Sequence, residues 1–409
     1  MKKILKAKKK INISAVMLTS VVAFFVITFL INITWKIIND NGDLNLYTHQ
    51  AESFLQGRLD LDANYKDVAV YDGKFYSPFP PYPAVILMPI VAVFGTEATR
   101  VIFVALFLTL INAIMLRRIL KKLKVENKYI PWLNLAFFLG TGYWYVLQSS
   151  SGVWFFAHIV AITCIFFAID EALGKGRGLL IGLFLGEAFL SRQVMLYAFF
   201  FLLAAVWKNS NFKNRKSRIL NVLLFVFALS FCIAIYLCMN WVRFDSPFDS
   251  GYSYIELTGF LKERVDTYGL FSPMYIPFNF VYMFLQGFHI NISPQVIPAE
   301  ISLDSFGTSI TFASPFIFIA LLAKRRRLIV KAAWFSVILM ILHLLCYYNN
   351  GWFQVNTQRF SLDFLPVLIC IVALGIKQVP TAVWKALILF SVLLNFLAQI
   401  IIPMYNESI

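Results

Sequence analysis

Apolar residues run along this chain in long stretches, separated by short clusters of polar and charged positions. A run of about 20 apolar residues crosses the ~30 Å hydrocarbon core of a bilayer as a helix rising 1.5 Å per residue. The pattern predicts eleven spans, at about residues 12–33, 98–116, 129–147, 154–171, 178–191, 193–207, 219–241, 308–323, 328–347, 361–376 and 381–403. A further apolar stretch, from Tyr82 to Gly95, is short and carries Pro83 and Pro89. It reads as a juxtamembrane helix on the outer surface, because a crossing there would invert every later loop. The expected fold class is an all-α polytopic membrane protein. Residues 1–409 form one membrane domain, with large outer loops at 34–97 and 243–307.

Composition sharpens this reading. The chain is 60% hydrophobic and 14% charged, against roughly 45–50% and 25% for a soluble domain. That excludes a soluble enzyme, since too little polar surface is available to cover it. The net charge of +15 resolves into clusters: Arg117 to Lys128, Lys208 to Arg218, and Lys324 to Arg327. With the N-terminus inside, all three face the cytoplasm, as the positive-inside rule requires. The charge is thus a topology signal and a grip on anionic lipid, with no basic, aromatic-lined groove for nucleic acid. The first apolar run follows a lysine-rich segment without a small-residue cleavage site, so it reads as an uncleaved anchor. An odd number of spans puts the C-terminus outside. The five cysteines all lie in apolar spans, without the spacing of a metal site or disulfide framework.

The two outer loops hold 15 of the 21 acidic residues, which makes the outer face the working face. From Asp43, the residues Tyr47, Ala51, Phe54 and Leu55 recur at helical spacing and predict an amphipathic surface helix. Asp43 is either its N-cap or a general base held at a helix start. Asp60-x-Asp62 has the spacing of a metal–nucleotide-sugar site but faces away from the compartment that holds nucleotide sugars. Asp72-Gly73 between Tyr/Phe-rich arms predicts a hairpin, and Pro80-Pro81 an extended entry into the next helix. Ionisable residues at membrane depth point to function. Arg192 stands between two short spans, where it either snorkels or pairs with Glu187, or else binds a lipid phosphate bidentately. His158 lies about one turn inside its span, and Arg359 and Asp363 open the tenth span from outside. No Gly-x-Ser-x-Gly, His-Glu-x-x-His or Walker loop occurs in a usable context.

Taken in order, these motifs resemble those of a known family. Asp43, Tyr47, Ala51 and Gly57 at this spacing resemble the start of the first outer loop in the GT-C fold membrane glycosyltransferases. Similar too are Gly73-Lys74-Phe75-Tyr76, Pro80-Pro81, Arg100, Val153 to His158, Gly186 to Arg192, Arg243 to Tyr252 and Gln358-Arg359-Phe360. The nearest branch is the bacterial relatives of dolichyl-phosphate-mannose protein mannosyltransferases, with the aminoarabinose lipid A transferases as cousins. The resemblance implies an inverting transferase that uses a polyprenyl-phosphate sugar on the outer face of the cytoplasmic membrane. It implies Asp43 as general base and Arg192, Arg359 and Arg100 as donor phosphate-binding residues. His158, Lys74, Tyr47 and Glu187 are taken as further pocket residues. No cofactor is assigned, and a divalent metal is left open. The acceptor is a glycolipid, a cell-wall polymer or a protein. Two other readings remain: a transporter or flippase of lipid-linked sugars, for which Glu187 is the one favourable feature, and a polysaccharide polymerase or ligase of another membrane fold.

Overall fold

The computed structural model describes residues 13–39, 45–209, 211, 214–292, 301–324, 328–351 and 357–401. The chain divides into two units, Met1–Asn39 and Asp40–Ile409. The first holds helix α1, Ile13–Ile38, which runs past its predicted end at residue 33.

The second unit begins with α2, Leu46–Leu55, capped by Asn45, whose side-chain oxygen accepts from the Tyr47 amide at 3.0 Å. The Asn45 amide group also donates to the Ser150 carbonyl at 3.1 Å. The helix cap expected at Asp43 is therefore Asn45, and Asp43 itself lies outside the described residues. Nor is α2 a surface helix. Seven of its ten residues are buried, because α3, Tyr82–Ala98, packs across it. Between them, β1 (Ala69–Tyr71) pairs antiparallel with β2 (Lys74–Tyr76). Asp72 and Gly73 both have positive φ, 48° and 71°, the signature of a type I′ hairpin turn. Helix α3 carries a proline in its first turn, where no amide hydrogen bond is lost, and bends at Gly95 (φ 74°).

The bundle continues with α4 (Val101–Lys122), α5 (Ile130–Leu139), α6 (Tyr143–Gln148), α7 (Val153–Leu173) and α8 (Gly178–Phe189). A 3-10 turn over Gln193–Ala198 leads into α9 (Phe199–Lys208), followed by α10 (Arg215–Phe244). The second outer loop carries α11 (Gly259–Tyr268), α12 (Ile276–Phe280) and a hairpin of β3 (Ile290–Ile292) with β4 (Ile301–Leu303). After α13 (Ile310–Ala313) and a 3-10 segment Pro315–Leu322 come α14 (Leu328–Leu345), the 3-10 turn Arg359–Asp363, α15 (Leu365–Gly375) and α16 (Thr381–Phe396).

Among the described residues, five helices are long and apolar enough to cross a membrane: α4, α7, α10, α14 and the segment Thr381–Ile401. Of the remaining predicted spans, the first falls on α1 and the others correspond to shorter or broken helices. The continuous span expected over 129–147 breaks between α5 and α6. There a Cβ on Gly140 would stand 2.7 Å from the Ala136 carbonyl, and one on Gly142 would stand 2.8 Å from the Thr357 carbonyl. A side chain at Gly142 would meet the backbone of Thr357, and one at Gly140 the last turn of its own helix.

Helix α7 is the centre of the bundle. It is apolar all round and buried along almost its whole length, as such a helix must be. Helix α8 packs on α10 through Gly178, Gly182 and Gly186. A Cβ at these positions would meet the Asn221 carbonyl, the Phe225 carbonyl and the Cys232 sulfur at 2.5 Å or less. This is small-residue packing at a four-residue spacing, which lets helix backbones touch in a membrane. At the basic end of the bundle, Asp170 of α7 binds Arg118 and Lys122 of α4, at 3.0 and 2.7 Å.

Candidate functional site

The break between α8 and the 3-10 turn at Gln193 releases Arg192 from helical geometry, with its backbone extended at φ −149°. Its side chain then reaches Asp363 on the turn before α15. Arg192 donates from Nε and NH2 to the two Asp363 carboxylate oxygens at 2.5 and 2.6 Å, a bidentate pair. His158 of α7 places Nδ1 at 3.2 Å from the same Asp363 oxygen. Asp363 and His158 are fully buried, and the Arg192 side chain is 17% exposed. Arg192 therefore pairs with Asp363, not with Glu187. Phe360 lies between the cations: its ring centre is 5.2 Å from the Arg192 guanidinium and 5.5 Å from that of Arg359. Arg359 also lies over Phe155 at 4.7 Å. These aromatic faces hold guanidinium groups by cation–π attraction.

Arg192, Arg359 and Tyr47 all line one cavity of about 1050 Å³. Its walls come from both outer loops, from α7 and from the turn before α15, and include Lys66, Asp67, Tyr252, Glu256, Tyr347 and Tyr348. Tyr47 meets Phe79 and Phe156 edge-on. Burial raises the phenols of Tyr47 and Tyr252 above their ordinary range, outweighing the opposing pull of Arg192. They face the cavity as neutral hydroxyls. Arg192 and Arg359 flank Phe360 on one part of the wall, and Asp363 pairs with Arg192 there, while Lys66, Asp67 and Glu256 lie among the other lining residues. Such a site suits an oxyanion, because buried cations interact with it across a low dielectric.

The other residues named from the sequence fall elsewhere. Arg100 is the exposed N-terminal flank of α4 and Lys74 is exposed on the hairpin, and neither lines the cavity. Glu187 lies beside the Tyr82 hydroxyl, between α8 and α3. Arg243 is structural: it is buried and donates to the Ser77 carbonyl at 2.6 Å and to Asn240 at 2.8 Å, tying the first outer loop to α10. Asp60 pairs with Arg58 at 3.3 Å and Asp62 accepts from Tyr65 at 2.8 Å. Among the described residues, no three His, Cys, Asp or Glu side chains gather as a metal site.

Sequence reasoning missed Asp67. It sits in the left-handed region at φ 62°, on the cavity wall, and burial raises its carboxyl above the ordinary value while Lys66 pulls the other way. No motif surrounds it. The only signal was an Asp in a loop between two aromatic segments.

No protein-family profile matches the chain, and no curated protein matches its sequence. Among solved structures, ArnT from Cupriavidus metallidurans bound to undecaprenyl phosphate is similar, with a TM-score of 0.52 at 12% identity. The match covers 90% of this chain and 62% of that one, so the chain spans less than two thirds of its length. ArnT in the apo state aligns with a TM-score of 0.47. The likeness is one of fold: this is an all-α polytopic membrane protein with the GT-C architecture.

Proposed function

We propose that the protein is an integral membrane glycosyltransferase that moves a sugar from a polyprenyl-phosphate donor to an acceptor hydroxyl, with inversion. The observation that carries this reading is the 1050 Å³ cavity with Arg192 and Arg359 on its wall. The two guanidinium groups stand together on that wall, either side of Phe360, where an anionic head can meet both. The likeness in fold to a protein solved with undecaprenyl phosphate supports the same donor class.

In the proposed reaction Arg192 and Arg359 grip the donor phosphate. Asp363 and His158 act behind them as positioning residues, fixing Arg192 in its bidentate orientation. The acceptor hydroxyl attacks the anomeric carbon, the bond from that carbon to the phosphate oxygen breaks, and polyprenyl phosphate leaves with the bond electrons. Its growing charge meets two prearranged cations. The acceptor proton passes to Asp43, which precedes the Asn45 cap by two residues. A carboxylate in that role removes the proton as attack proceeds. No role in this chemistry falls to Arg100, Lys74 or Glu187. Eleven crossings, counting the shorter helices, put the N-terminus inside, the C-terminus outside and the cavity on the outer face of the plasma membrane. The acceptor class is a glycolipid, a cell-wall polymer or a protein.

The test is release of polyprenyl phosphate by purified protein in lipid, over a panel of polyprenyl-phosphate monosaccharides with crude acceptor extracts. Acceptor-dependent release is expected, reduced about 10²–10³-fold in Arg359→Gln and about 10²–10⁴-fold in Asp43→Asn. Release unchanged in Asp43→Asn assigns the proton to another group. No release with any donor, from folded protein, overturns the reading.

A further inference from the structure

The last turns of α4 carry two pairs of cations at four-residue spacing. Arg118 and Lys122 turn toward α7, where Asp170 binds both. Arg117 and Lys121 turn the other way and line a second cavity, of about 510 Å³, between α4 and the start of α5. The same wall carries Asn127 and Asn134, and its floor is apolar, with Ile114 and Pro131. Among the described residues no carboxylate lines this cavity. The nearby Glu126 is engaged by Lys128 and Lys377, at 2.9 and 3.2 Å. One helix end thus presents two like pairs of cations, one with its counter-anion supplied by the protein and one facing an open groove.

The exposed face of α4 leads away from this groove. Ile114, Leu110, Phe107 and Phe103 follow one another at three- and four-residue steps, each roughly half exposed or more. That stripe lies on the side of the helix that carries the cavity cations, since residues three and four apart share a face. Paired cations, amide donors and an adjoining apolar track match a molecule with a phosphate head and hydrocarbon tails.

We propose that the groove between α4 and α5 is a binding site for an anionic phospholipid, with Arg117 and Lys121 holding the phosphate and the α4 stripe carrying the acyl chains. The site lies at the basic end of the bundle and is independent of the proposed transferase cavity. A bound lipid there fastens α4 to α5 as Asp170 fastens α4 to α7. Each basic group near an anionic lipid contributes about 1 kcal/mol, so loss of two is expected to weaken retention at least about tenfold.

The experiment measures lipid retained by the purified protein, by mass spectrometry, after reconstitution in mixed phosphatidylglycerol and phosphatidylcholine. Wild type is expected to retain phosphatidylglycerol selectively. Arg117→Gln with Lys121→Gln is expected to lose that selectivity, while Lys208→Gln with Lys331→Gln, an equal loss of exposed charge, leaves it intact. Equal losses in the two double variants overturn the proposal, because they mark a diffuse basic surface. Displacement of the lipid by millimolar inorganic phosphate also overturns it, because the site then takes a free anion and the apolar track contributes nothing.

Discussion

Helix α7 meets a carboxylate with two basic neighbours near each of its ends, and the two clusters sit in different surroundings. Near its start, His158 and Arg192 converge on Asp363, with no exposure for the histidine or the aspartate and 17% for the arginine. Near its other end, Asp170 binds Arg118, 56% exposed, and Lys122, 26% exposed. In both places one acid gathers two basic side chains, though at Asp363 only Arg192 is a permanent cation. Burial decides what that sharing does. At Asp170 the cations remain partly in water, where screening and side-chain entropy reduce the net effect of an ion pair. At Asp363 the acid has no water to fall back on, so it depends on Arg192, and the bidentate bond gives Arg192 one orientation. The first arrangement ties helices together. The second aims a charge into a cavity.

The strongest way to break this comparison is to remove the buried acid. Asp363→Asn keeps the shape and leaves Arg192 without its ionic partner, and is expected to cost about 3–5 kcal/mol. Thermal unfolding in detergent or nanodiscs reads it. Adding Arg192→Met should recover much of the loss, because the stranded charge is gone. If the two substitutions instead add independently, within about 0.5 kcal/mol, the pair is not the unit described.

A smaller effect is expected at Asp170, a buried acid whose cations reach water. Asp170→Asn should cost about 1 kcal/mol, and that cost should shrink as salt rises, since surface pairs are screened over about 10 Å at 0.1 M. The Asp363 effect should be insensitive to salt over the same range. Equal salt dependence at both sites contradicts the distinction drawn from burial.

Much of this arrangement was legible in the sequence, though not the pairings. Ser191-Arg192-Gln193 interrupts an apolar run, so a break there was visible, as was the hairpin at Asp72-Gly73. The partner of Arg192 was not, because Asp363 is 171 residues away and Glu187 was the nearer choice. The cap of α2 was misplaced by two residues for a similar reason. Asp43 and Asn45 are equally good cap residues by type, and what favours Asn45 is its second bond to Ser150, 105 residues on. Helix α2 looked amphipathic, but the apolar cover supplied by α3 buries its polar face too. The glycines at 178, 182 and 186 were readable and passed over, since their spacing alone does not name α10 as the partner. At the break, Gly140 faces Ser391 and Gly142 faces Thr357, contacts that no local pattern reveals.

Asp67 sharpens the comparison further, as a cavity carboxylate that lacks the bidentate clamp of Asp363. Its burial raises the folded carboxyl above the ordinary value, with Lys66 opposing. The native state therefore takes up this proton at a higher pH than the unfolded chain does, and stability falls as pH rises through that window. The cost of the charge is complete above the raised value and absent once pH reaches the ordinary carboxylate range, near ~4. Asn tolerates the left-handed backbone at this position, so Asp67→Asn removes the charge without strain. The variant is expected to unfold at a slightly higher temperature than wild type near neutral pH, with the difference closing as the pH is lowered. A gain that persists unchanged into acid would trace to packing or hydrogen bonding. A loss near neutral pH would mean that the Asp67 charge is matched in the cavity by cations that outweigh its burial, which would place it with Asp363 among the groups that shape the field there.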